Sequence, residues 1–104
     1  MSKTMPIENL YKIIKDRIKN KPYGSYVTSL VQSGRHRISQ KVGEEAMELI
    51  IEASKDKINK KRIIEEASDL IFHLYILLAY FNVKPKEISE ELDRRHQKCI
   101  RHSR

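Results

Sequence analysis

From Leu70 to Phe81 the chain is apolar on nearly every side, interrupted only by His73. A helix of that kind is stable only when several neighbours cover it, and the run is too short to span a bilayer. The remaining sequence supplies such neighbours: Gly and Pro number three each, while Leu, Ile, Lys and Glu dominate. That composition favours long helices over many short strands. The expected fold class is all-α, a four-helix antiparallel bundle. With 104 residues and 39% hydrophobic content, one copy has too small a core to be more than marginally stable. A homodimer that completes the bundle is therefore expected, because one copy is too small to cover the apolar third helix.

Pro6 is placed to open a first helix, in which Ile7, Leu10, Tyr11, Ile14 and Ile18 recur at helical spacing. From Asn20 to Gly34 the pattern turns polar and turn-prone, and its length is unusual for a plain connection in a bundle. This loop is a candidate for function. A second helix is predicted from about Arg37 to Lys55, a third from about Lys60 to Phe81 and a fourth from Pro85 to near the C-terminus. The short Asp56 to Asn59 link lays the second and third side by side and antiparallel. No repeat or composition boundary divides residues 1–104, so one domain is expected, with Arg101 to Arg104 fraying.

No segment has the basic start, apolar middle and small-residue cleavage site of a secretion signal. A lone cysteine, Cys99, can form neither an internal disulfide nor a thiolate zinc site, which fits a reducing, cytoplasmic setting. The net charge of +7 suits a nucleic acid, an anionic membrane or a small polyanion equally well. Without a repeating basic stripe, zinc-finger spacing or RNA-stacking motif, nucleic acid is not the expected partner.

The second helix carries an unusual stripe. On a helical wheel Val42, Ala46, Leu49, Ile50 and Ala53 share one apolar face, Met47 and Ile51 form another flank, and Glu44, Glu45, Glu48 and Glu52 run between them. The third helix repeats this with Glu66, Asp69 and His73 on a narrow polar strip and Glu65 beside it. Acids on a helix are ordinarily a solvated face. Here like charges at this spacing cost roughly 0.2–0.5 kcal/mol per pair, and they are wedged between surfaces that need a partner. Carboxylates converging from two helices, with no Cys and at most one His nearby, suit a hard cation, Mg²⁺ or Mn²⁺, better than zinc.

Glu44-Glu45-Ala46-Met47-Glu48, followed by Glu66-Ala67-Ser68-Asp69, resembles the paired Glu-Glu-x-x-Glu and Glu-x-x-Asp signature of the MazG-like all-α nucleotide pyrophosphohydrolases. Gly24 to Leu30, Lys41 to Glu45, Glu65 to Leu74 and Glu91 to His96 resemble, in order, the phosphoribosyl-ATP pyrophosphatase branch of that group. Met1 leads almost directly into the first helix, as expected of a free-standing form. Val27 stands where the family more often has Thr or a similar small residue.

The resemblance implies hydrolysis of the α–β phosphoanhydride of phosphoribosyl-ATP to phosphoribosyl-AMP and pyrophosphate, with Glu45, Glu48, Glu66 and Asp69 as Mg²⁺ ligands. Glu44 is an alternative ligand or a general base, a role left open among Glu44, Glu45 and Glu48. Lys41 either reaches a phosphate or pairs with Glu44 or Glu45. Gly24, Ser25, Tyr26, Thr28 and Ser29 offer hydroxyls and amides to phosphate or ribose, where the plainer reading is a capped turn; the resemblance favours binding. Arg94, Arg95 and His96 close over a second phosphate or form a solvated cluster. For His73, a satisfied interior residue is favoured over a ligand. The competing functions are a house-cleaning (d)NTP hydrolase using the same metal site and a non-catalytic nucleic-acid module.

Overall fold

The computed structural model describes residues 5–101, with side chains described as far as Gln97. The Cys99 side chain and residues 102–104, on which most of the expected fraying falls, lie outside the described residues. The described chain is all-α, with five helices: α1 Ile7–Asn20, α2 Tyr26–Gln32, α3 Arg35–Ala53, α4 Lys60–Tyr80 and α5 Pro85–Arg101. No helix among them is long and apolar enough to cross a membrane.

The helix beyond the expected four is α2, within the stretch read as loop. Its local causes are plain. The Ser25 Oγ accepts from the Thr28 N–H and caps the first turn, and Val27 and Leu30, three residues apart, are both buried. Gly24 and Gly34 take φ of +78° and +94° on either side, turns that L side chains rarely adopt. Val27, a departure from the family's usual residue, is thus a core position.

The core lies at one end of the molecule. Tyr11 and Ile14 of α1, Val27 and Leu30 of α2, Ile38 of α3, and Ile76 and Ala79 of α4 form one buried cluster. Tyr11 meets Tyr75 edge-on with ring centroids 6.2 Å apart. Lys15 Nζ donates to Asn82 Oδ1 at 2.9 Å and ties α1 to the turn after α4.

The α3 helix turns acids toward α4, burying Glu45 and Glu52, while Met47, Ile50 and Ile51 remain more than half exposed. The bundle packs α1 to α4 together, whereas α5 projects, meeting them along a groove lined by Leu74, Tyr75, Leu78, Ile88 and Leu92 among others. The reason is composition: α5 has only a narrow apolar strip, and Ile88 and Leu92 stay 41% and 59% exposed.

Candidate active site: an acidic seam between α3 and α4

The six-residue connection 54–59 sends the chain back on itself, so α3 residues of rising number meet α4 residues of falling number. Glu45 is close to Asp69 and His73, Glu48 to Glu66, and Glu52 to Arg62 at 3.8 Å. On α4, His73, Asp69, Glu66 and Arg62 follow one another by about a helical turn, a line of about 16 Å along the axis.

The electrostatics of this seam are strained. Burial pushes the Glu45 carboxyl above its ordinary range, and the negative charges of Glu48 and Asp69 add to the rise against the pull of His73 and Lys41. Burial likewise raises Glu66, helped by Glu48 and Asp69 and opposed by Arg62. Glu45 and Glu66 are 9% and 5% exposed, so a negative charge there lacks most of its hydration. The donors are oxygens. Both ring nitrogens of His73 are already used: Nδ1 donates to the Asp69 carbonyl oxygen at 2.8 Å, and Nε2 shares a hydrogen bond of 2.8 Å with the Tyr26 hydroxyl. Such a donor set fits a hard divalent cation. Among the described residues, no three His, Cys, Asp or Glu side chains are gathered closely enough to hold a metal ion as they stand.

The remaining candidates divide. Glu44 is exposed and faces outward, held by Lys41 Nζ at 3.4 Å, Gln40 Nε2 at 3.1 Å and Arg37 at 4.0 Å. Lys41 lies between Glu44 and Glu45, close enough to both to act on each. Gly24, Ser25, Tyr26, Thr28 and Ser29 line one cavity of about 680 Å³ with Lys21 and Tyr23. Tyr26 connects that cavity to the seam, stacking on Phe72 at 6.1 Å and bonding to His73. Arg94 and Arg95 are not brought to the seam. Both bind Glu91 on their own helix, at 2.5 and 2.9 Å, and their bonds hold the Glu91 carboxyl down to about 2. His96 is exposed on the same helix.

Two residues were absent from the expected site. Glu52 is buried and bound by Lys55 at 3.0 Å. Arg62 spreads its guanidinium over Glu65 at 2.6 Å, Glu66 at 3.5 Å and Glu52 at 3.8 Å. The spacing of Arg62 four before Glu66 and of Glu52 four after Glu48 was a visible signal.

Residues 7–96 match the family described as phosphoribosyl-ATP pyrophosphohydrolase. A phosphoribosyl-ATP pyrophosphatase of Sulfolobus acidocaldarius is 46% identical over 92 residues, which cover 88% of this chain and 95% of the relative. The same-named protein of Sulfurisphaera tokodaii is 46% identical over 89 residues, 86% and 93% of the two chains. That of Saccharolobus solfataricus is 44% identical over 91 residues, 88% and 95% of the two chains.

Proposed function

The chain belongs to the phosphoribosyl-ATP pyrophosphohydrolase family, and from that premise we propose that the α3–α4 seam hydrolyses phosphoribosyl-ATP to phosphoribosyl-AMP and pyrophosphate. This is the second step of histidine biosynthesis. The observation that carries the site assignment is the convergence of Glu45, Glu48, Glu66 and Asp69, with Glu45 and Glu66 buried and raised in pKa first by that burial and then by the charges of Glu48 and Asp69.

In this reading Glu45, Glu48, Glu66 and Asp69 would hold Mg²⁺, with Mn²⁺ as a substitute. The ion supplies neutralisation of phosphate oxygens and a more acidic bound water. In the reaction, the oxygen of water joins phosphorus as the bridging P–O bond of the α–β anhydride breaks; pyrophosphate leaves with the electron pair, and the water proton passes to a base. That base is drawn from Glu45 and Glu48, which border the seam, rather than from Glu44, whose carboxylate is engaged by Lys41, Gln40 and Arg37. Lys41 contributes positive charge beside Glu45. The cavity around Gly24, Ser25, Tyr26, Thr28 and Ser29 receives the ribose or phosphate end of the substrate through hydroxyls and backbone amides, and His73 positions Tyr26 and the α4 backbone at Asp69.

The exposed apolar strip of α3 and α4 supports a homodimer. Met47, Ile50 and Ile64 are 55%, 56% and 56% exposed, an extent of uncovered hydrocarbon that a second copy of the same hairpin suits. Sedimentation at micromolar concentration is expected to give a dimer, and Ile50→Glu a monomer. The single cysteine is in keeping with a cytoplasmic location.

The deciding experiment offers the pure protein phosphoribosyl-ATP, dCTP, dUTP and ATP with Mg²⁺, and again with EDTA. Release of pyrophosphate from phosphoribosyl-ATP, lost in EDTA and restored by Mg²⁺, is expected. A preference for a free nucleotide would remove the assignment. For the site, Glu48→Gln and Asp69→Asn are expected to lower kcat by roughly a thousandfold or more; near-full activity in both variants would move the chemistry elsewhere.

A further inference from the structure

The seam opens, at the end away from α2, into a second and oppositely charged cavity. A small cleft of about 220 Å³ is lined by Glu48, Ile51, Glu52, Arg62 and Glu66. Next to it is a groove of about 720 Å³ whose walls include Lys55, Lys57, Lys60 and Lys61, and the two share Glu52 and Arg62 as a common wall. We propose that this basic groove at the α3–α4 connection is the binding site for the inorganic diphosphate leaving group, with Arg62 at its junction with the acids. The proposal rests on the hydrolytic reading of the seam and gives that reading a direction.

The groove gathers five cations around one carboxylate. Lys55 and Arg62 already share Glu52, at 3.0 and 3.8 Å, while Lys57, Lys60 and Lys61 form no ion pair among the described residues. Connection lysines are ordinarily dispersed in solvent, and repulsion drives them apart. Here they line a concave wall that begins where the acids end. A nucleotide phosphoanhydride needs that pairing of surfaces: carboxylates for the metal, and cations a few ångströms farther on for the phosphates that the metal does not neutralise.

Order along the seam fixes the polarity. The hydroxyl-lined cavity of α2 adjoins His73, Asp69 and Glu66 follow, and Arg62 comes last, over about 16 Å. With the ribose end of the substrate at α2 and the scissile bond at the carboxylates, the departing diphosphate lies at Arg62 and the lysines. Lys41 is engaged by Glu44, and Arg94 and Arg95 are both engaged by Glu91. The planar fork of Arg62 reaches Glu65 and Glu66 and suits a phosphate in the same way.

The test is calorimetric titration of inorganic pyrophosphate into the full chain with Mg²⁺, comparing wild type, Lys60→Gln/Lys61→Gln, Arg62→Gln and a charge-matched control, Lys12→Gln/Lys19→Gln, on the exposed side of α1. The groove variants are expected to raise the pyrophosphate Kd roughly tenfold, with the control unchanged. Equal weakening in the control would reduce the effect to net charge and overturn the proposal, as would unchanged affinity in the groove variants. Separate Mn²⁺ titrations without pyrophosphate keep the two readings apart. Mn²⁺ binding retained in Lys60→Gln/Lys61→Gln supports a phosphate role for the groove, and loss of Mn²⁺ binding in that variant counts against it. Absence of Mn²⁺ binding in wild type would sink the metal assignment of the seam, while the pyrophosphate comparison still decides the groove.

Discussion

The Tyr26 hydroxyl lies 2.8 Å from His73 Nε2, joining the first turn of α2 to the middle of α4, where Nδ1 of the same ring donates to the Asp69 carbonyl. One imidazole thus ties the short helix beside the hydroxyl-lined cavity to the backbone of a proposed metal ligand. Tyr26→Phe leaves a buried ring nitrogen without a partner, at a cost of about 1–2 kcal/mol. Thermal unfolding is expected to fall by several degrees, about 4–8 °C per kcal/mol in a chain of this size, and the KM for phosphoribosyl-ATP is expected to rise. An unchanged Tm together with an unchanged KM would mean that the bond does not couple the two elements.

The seam predicts an inverted pH response. Glu45 and Glu66 have folded-state pKa values raised above those of the unfolded chain, so between those limits the folded form binds more protons. Stability contributed through these two groups therefore falls as pH rises through the raised values and is regained as pH drops toward the ordinary carboxylate range. In EDTA, Glu66→Gln is expected to melt above wild type at neutral pH, the difference closing as the solution is acidified. The same variant is expected to lose the gain in Tm that Mg²⁺ gives wild type. A variant that melts below wild type in EDTA at every pH would contradict the assignment of unfavourable charge to the seam.

Two glycines should respond to alanine with opposite signs. Gly34 opens α3 at φ +94° and ψ 168°, a region that side chains avoid, and a Cβ there meets nothing within 4 Å. Gly34→Ala is therefore expected to cost about 1–3 kcal/mol through backbone strain alone. Gly43, inside α3, also has open space around an added Cβ, and Gly43→Ala is expected to stabilise by about 0.5–1 kcal/mol. Chemical denaturation of both variants measures the pair.

Tyr11 is 7% exposed, and its hydroxyl has no hydrogen-bond partner among the described residues. Burial, then the charge of Glu87, pushes its pKa up. Tyr11→Phe keeps the ring against Tyr75 and removes the unpaired oxygen, so it is expected to raise stability by about 1 kcal/mol. A fall in Tm would show that the hydroxyl is satisfied in solution.

The acids were legible in the sequence because Glu45, Glu48, Glu66 and Asp69 recur at helical spacing among apolar residues, and such a pattern survives without knowledge of tertiary contacts. How deeply each is buried was not. The wheel of α3 presents an apolar side and an acidic side, and only packing decides that Glu45 and Glu52 turn inward while Ile50 turns out. The helix α2 was hidden by its own capping: the Gly24-Ser25 pair that starts it is also a sign of a turn. Arg62 escaped notice because two of its three carboxylates, Glu65 and Glu66, are local, while the one that draws it into the site, Glu52, lies across the connection on another helix. The all-α class needed none of this, since few glycines and prolines and long stretches of Leu, Ile, Lys and Glu permit little else.

Hydrocarbon is concentrated where α1 and α2 cross the hairpin, at Tyr11, Ile14, Val27, Leu30, Ile38, Ile76 and Ala79, and the far half is tied together by ionic contacts at Glu52, Arg62 and Glu66. Dissolved salt screens the second kind of bond and strengthens the first. The two ends of this molecule therefore answer to different solvents: the root tightens in brine, and the tip loosens.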